Sequence, residues 1–142
     1  MKAFLPIAGL LLCLAAPPFA EGQEREVVLP RGVMKQVVSH IVTFYIKSAP
    51  RRRSIYVSSD LVKAAWLPTL RNVRFRMVAE TPNGYPRSVQ FFTNLRKAGR
   101  QYSIVYAYGD PDCQARGDVW HFRVVHGTVV SLHRHNRYGS AC

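Results

Sequence analysis

Apolar residues recur in pairs at helical spacing between Val33 and about Ser48: Val33/Met34, Val37/Val38, Ile41/Val42 and Phe44/Tyr45. Lys35, Gln36, Ser39, His40, Thr43 and Lys47 fall between them, so one wide apolar face runs along a predicted helix of about 16 residues. Its β-branched content is high for a helix, which makes packing rather than intrinsic propensity responsible for it. Pro50 ends it. Ile55-Tyr56-Val57 reads as a short strand. Ser58-Ser59-Asp60 then offers an N-cap for a second, shorter helix, Leu61–Trp66, stopped by Pro68.

From Val73 onward the period changes to two. Val73, Phe75, Met77 and Ala79 alternate with Arg74, Arg76 and Val78, and Thr81-Pro82-Asn83-Gly84 carries turn chemistry. A second strand places Val89, Phe91, Thr93 and Leu95 on one face, with Gln90, Phe92, Asn94 and Arg96 on the other. After a turn at Lys97–Arg100, a third strand alternates Tyr102, Ile104, Tyr106 and Tyr108 with Ser103, Val105 and Ala107. Residues 109–118 read as the longest irregular stretch. Strands Val119–Val125 and Val129–His135 follow around His126-Gly127-Thr128, and Asn136–Cys142 reads as an irregular tail. One helix, a short second helix and a four- to five-strand antiparallel meander make an α+β domain. The helix would cover one face of the sheet and leave the other partly open.

The closing hairpin, Trp120-His121-Phe122-Arg123-Val124-Val125-His126-Gly127-Thr128-Val129-Val130, resembles the terminal hairpin of NTF2-like domains. With the element order, it makes the chain similar to NTF2-like and cystatin-like half-barrels. His126 stands where that hairpin usually turns through an acidic residue, and fewer helices precede the main sheet than in the NTF2-like family. No family site residue matches by position, so the resemblance implies a half-barrel and assigns no chemistry.

The N-terminus alters the picture of compartment. Lys2 precedes an apolar run from Ala3 to Ala16, and Pro17-Pro18 and Phe19-Ala20-Glu21-Gly22 lead into polar sequence. The run is shorter than the about 20 apolar residues a bilayer span requires, so residues 1–22 are expected to be a cleaved signal peptide. Residues 23–142 then form one secreted or periplasmic domain without a transmembrane segment. Two cysteines remain, Cys113 and Cys142. An exported chain favours a disulfide between them, closing a loop of about 30 residues.

Charge is the strongest compositional signal. The chain carries 20 Lys and Arg against 8 Asp and Glu, a formal net charge of +12. Arginine predominates after the signal, and its planar fork pairs bidentately with phosphate, sulfate or carboxylate. The expected partner is an anionic macromolecule or surface: nucleic acid, polysaccharide, anionic lipid or an acidic protein. Arg74, Arg76, Arg96, Arg123 and Arg134, on alternating strand positions, are the expected anion-binding residues.

Candidate chemistry is sparse. Four of the five histidines lie in the last hairpin: His121, His126, His133 and His135. A three-residue turn would set His121 directly across from His133, with Arg123 across from Ser131, whereas a two-residue turn would lose the pair. Two imidazoles and a guanidinium could cleave a phosphodiester by acid–base catalysis, which makes a small RNase-like hydrolase using His121, His133 and Arg123 an alternative to binding. A metal site would need a third ligand, and no cysteine or carboxylate has ligand spacing near this pair, so neither metal nor cofactor is expected. Gly109-Asp110-Pro111-Asp112 lacks the further ligands of a calcium loop. No phosphate-binding glycine loop or nucleophile elbow is present. A third alternative is a small apolar ligand held in the cone between helix and sheet. A non-enzymatic, exported basic binding protein is the leading expectation.

Overall fold

The computed structural model describes residues 25–58, 61–86, 88–110 and 113–139. The expected signal peptide lies outside them, as do Cys142 and the side chain of Cys113, and so does the disulfide call they carry. The elements are β1 (Arg25–Glu26), α1 (Arg31–Tyr45), β2 (Arg53–Ser58), a 3₁₀ turn (Ala64–Trp66), β3 (Val73–Val78), β4 (Val89–Ala98), β5 (Gln101–Asp110), β6 (Cys113–Val125) and β7 (Thr128–Gly139).

The sheet runs β3-β2-β4-β5-β6-β7, and β1 also pairs with β4. This corrects the expected α+β layout of a second helix and a four- to five-strand antiparallel meander. The sheet is mixed, because β2 runs parallel to both β3 and β4. The segment Arg53–Ser58 is a central strand, with Ile55 and Val57 buried in the core. From it the chain crosses through the 3₁₀ turn before returning as β3 in the same direction. Pro68 and the brevity of the Leu61–Trp66 run leave that turn where a second helix was expected. One edge of β4 is shared: β2 meets it at Gln90, and β1 meets it at Arg96 and Lys97.

The helix buries Val33, Met34, Val37, Val38, Ile41 and Val42, the paired positions of its apolar face. They pack on Ile55, Val57, Phe92, Leu95, Ile104, Tyr106, Trp120 and Phe122 of the sheet. Phe92 and Leu95 share this face because the β4–β5 ladder shifts between Thr93 and Arg96, where Asn94 has φ 52°. Simple alternation places them on opposite faces. The outer face carries its own apolar cluster, Val89, Phe91, Val105, Ala107 and Ala115, with Tyr56, Tyr85 and Tyr138 against it.

The C-terminal ladder is longer than the alternation predicts. Strand pairing begins at Cys113 and continues to Gly139, so residues 113–118 and 136–139 are neither irregular loop nor tail. Gly117 permits this, because a Cβ there would lie 1.9 Å from the Tyr106 carbonyl oxygen. The closing turn has two residues, His126 and Gly127, with φ 47° and 75°. That is the primed turn whose twist suits a hairpin. Gln36 of the helix holds it, donating from Nε2 to the Gly127 carbonyl at 3.0 Å and accepting from the Val129 N–H at 3.0 Å.

A candidate anion-binding cleft

The helix stops at Tyr45, but the sheet beneath it continues. Past that point the concave face exposes a cleft of about 390 Å³, lined by Tyr45, Tyr108, Arg116, Asp118, Arg134 and Arg137, among others. Strand register explains the grouping. Arg116 pairs with Tyr108, Asp118 pairs with Tyr106 and Arg137, and Arg134 pairs with Trp120, so these side chains share the helix-side face. A second groove that also borders Tyr45 is lined by Lys47, Arg51, Arg52 and Arg53. The Arg51-Arg52-Arg53 cluster therefore borders the same aromatic residue as Arg116, Arg134 and Arg137.

A polar network organises the cleft floor. Tyr45 donates its hydroxyl hydrogen to Asp118 Oδ2 and accepts the Trp120 indole N–H at 3.1 Å. Tyr45 stacks on Tyr106 with ring centroids 4.4 Å apart, and Tyr106 donates to Gln90 Oε1. Burial, reinforced by the hydrogen bond to Asp118, pushes the Tyr45 phenol well above its ordinary range. Burial does the same to Tyr106, with nearby Tyr45 and Tyr108 adding to the rise and Arg53 opposing it. Both rings therefore remain neutral donors at physiological pH.

Asp118 is a nearly buried carboxylate among arginines. Its Oδ2 lies 3.9 Å from Arg134 Nη1, at the limit of an ion pair, and Arg134 is more than half exposed. Solvent screens such a pair strongly. The Arg134 guanidinium also lies over the Phe44 ring, 5.7 Å from its centroid. Asp118 and Phe44 thus position Arg134 at the edge of the cleft.

The residues expected to bind anions are divided between the two faces. Arg74 and Arg76 are exposed on β3, alternating with Val73, Phe75 and Met77, which pack on the core. They face away from the helix. Arg96 lies on that outer face in register with Ser103, and Ser103 is in register with His121. Arg123 is there too, 3.4 Å from the Ser131 hydroxyl. Arg134 is the member of the set that reaches the cleft.

His121 and His133 are paired, although the turn has two residues rather than three. The ladder starts with Val125 opposite Thr128, then gains one residue on β7 between Arg123 and His121, where Ser131 has φ 55°. That bulge restores the register which the short turn removes. The rings are 6.0 Å apart between centroids. The Arg123 guanidinium engages the Ser131 hydroxyl beside this pair.

Sequence reasoning missed Tyr45, Tyr108, Arg116, Asp118 and Arg137 as site residues. Arg116 and Asp118 carried a legible signal, since they continue the alternation of Trp120 and Phe122 towards the N-terminus. Arg137 carried none, because an irregularity between Val119 and Trp120 changes its facing. No protein-family model, curated protein or solved structure matches this chain.

Proposed function

We propose that this protein is a binding module for an anionic polymer bearing phosphate or sulfate groups, acting outside the cytosol. One arrangement carries the reading: Arg116, Arg134 and Arg137 line a cleft whose one carboxylate among the described residues, Asp118, is already held by Tyr45. Each guanidinium presents a fork of N–H donors that matches a phosphate or sulfate group. Arg51, Arg52 and Arg53 line a second groove that shares Tyr45 and add to the basic surface there. Charge arithmetic supports it. Eight carboxylates cannot neutralise twenty Lys and Arg, so the surface potential is positive wherever these side chains cluster. Core side chains of helix and sheet pack against one another, which supports reading the surface cleft rather than an enclosed cone as the binding site.

Fluorescence anisotropy with labelled heparin and with a single-stranded oligonucleotide tests the proposal. Affinity should fall steeply as salt rises, because each neutralised phosphate releases counterions. An Arg116→Ala/Arg137→Ala variant should lower the slope of log affinity against log salt by about two, one per lost contact. Affinity independent of salt, or a folded double variant that binds like the parent, overturns the proposal.

A further inference from the structure

On the premise that the arginine cleft binds an anionic polymer, we propose that its ligand is a single-stranded nucleic acid, with Tyr108 as the platform on which an unpaired base stacks.

Other aromatic rings on the helix-side face are engaged in packing. Tyr45 stacks on Tyr106 and Tyr102 stacks on Phe122, with centroids 4.4 and 5.4 Å apart. Tyr108 differs: it is 50% exposed, it lines the cleft, and among the described residues no other ring stacks on it. Strand alternation explains its position. Tyr106 and Tyr108 share one face of β5, but the helix ends at Tyr45, whose ring covers Tyr106, so Tyr108 lies beyond that cover. A flat apolar partner would remove its half-exposed ring from water.

Cations stand beside it. Arg116 pairs with Tyr108 across the β5–β6 ladder, where the Cβ atoms of directly opposite residues lie about 5 Å apart. Further along β6, Arg137 pairs with Asp118 and Arg134 with Trp120. Residues 116, 118 and 120 are two apart, so the three arginine levels rise in steps of about 6.6 Å at about 3.3 Å per residue. Arg116, Arg134 and Arg137 are all exposed. At the far end Phe44 is 49% exposed, edge-on to Trp120 at 5.2 Å, with the Arg134 guanidinium over its ring. A row of three cations therefore runs between two accessible aromatic rings.

A phosphate-linked strand uses both features. Each of its units carries an anion and a flat base, so guanidinium groups hold the backbone while unpaired bases lie on the rings. A sulfated polysaccharide has saturated rings and brings no π-face to Tyr108. In a duplex each base is covered by its neighbours, which leaves Tyr108 without a partner. Every base has a π-face, so stacking of this kind carries little sequence preference.

Fluorescence anisotropy of the full chain at fixed salt tests this with four labelled probes. They are an oligothymidylate, an abasic phosphodiester strand of the same length and charge, the oligothymidylate annealed to its complement, and heparin. The oligothymidylate should bind at least about fivefold tighter than the abasic strand, the low end of what one stacked base contributes, and tighter than the duplex. Tyr108→Leu should lower oligothymidylate affinity by at least about fivefold with the salt slope of the parent, because the lost contact is to a base and not to a phosphate. Tyr108→Phe, which keeps the ring, should retain the parent's preference. Equal binding of the oligothymidylate and abasic strands, or tighter binding of duplex or heparin with Tyr108→Leu matching the parent, overturns base stacking and leaves polymer binding at the cleft intact. Binding that is unchanged in a folded Arg116→Ala/Arg137→Ala variant overturns both.

Discussion

Gly117→Ala places the largest calculable stress on this fold. A Cβ at that position would meet the Tyr106 carbonyl oxygen at 1.9 Å, the Ala107 Cα at 2.5 Å and the Tyr106 carbonyl carbon at 2.8 Å, whereas ordinary contact begins near 3.4 Å. All three obstacles are backbone, so no side chain can swing aside. Strand β6 would have to withdraw from β5 by more than an ångström at a point where Ala107 pairs with Gly117 and Tyr106 with Asp118. Overpacking of this kind costs about 1–3 kcal/mol, and loosening one or two ladder hydrogen bonds adds about 1 kcal/mol each, giving roughly 3–4 kcal/mol in total. For the roughly 110 described residues the unfolding entropy is about 0.23 kcal/mol per kelvin, so Tm should fall by roughly 13–17 °C. Thermal unfolding followed by far-ultraviolet circular dichroism reads this directly. Asp118 is the next residue, so its hold on Tyr45 should loosen in the same variant and polymer affinity should drop with it. Gly127→Ala, with open space around its Cβ, meets no such obstacle and should lose only about 1 kcal/mol through its positive φ. A Gly117→Ala protein melting within about 2 °C of the parent would show that β5 and β6 are not so closely apposed.

Two further outcomes follow from the cleft and the core. The Tyr45 and Tyr106 phenols are raised in the folded state, so above the ordinary tyrosine range the unfolded chain releases protons that the native chain keeps. Stability should be intact below about pH 10 and decline as pH rises beyond it, and Tyr106→Phe should flatten that decline in urea titrations. Among the described residues the Trp66 indole N–H is buried without a hydrogen-bond partner. In Trp66→Phe the loss of packing should be largely offset by removal of that unsatisfied donor, so urea-derived stability should change by about 1 kcal/mol or less, far from the cost of truncating a core aromatic.

The chain's patterning read the site unevenly. The first helix and the strands around Phe75, Phe91, Ile104 and Phe122 were legible because each repeats its apolar residues at its own period. The cleft was obscured for a different reason. Residues 109–118, rich in Gly and Asp, match loop composition, yet Asp118 and Arg116 extend a strand because pairing with Tyr106 and Tyr108 satisfies their backbone groups. Tyr45 looked like one more apolar residue of a helix. Its phenol matters because the helix ends over Asp118 and Trp120, which lie more than seventy residues away in the chain.

Composition, charge and local periodicity are properties of the chain itself. They were enough to establish an unneutralised basic protein, an amphipathic helix and a set of strands. Pairing partners, strand direction and register depend on which segments meet, and loop length and bulges decide that. β2 runs parallel to its neighbours because the 64–66 turn carries the chain across. His121 faces His133 because a bulge at Ser131 compensates for a two-residue turn, a one-residue adjustment that no periodicity encodes. Each such shift moves a side chain to the other face of the sheet. The sequence therefore decided which chemical groups are present, and the tertiary structure decided which of them share a surface.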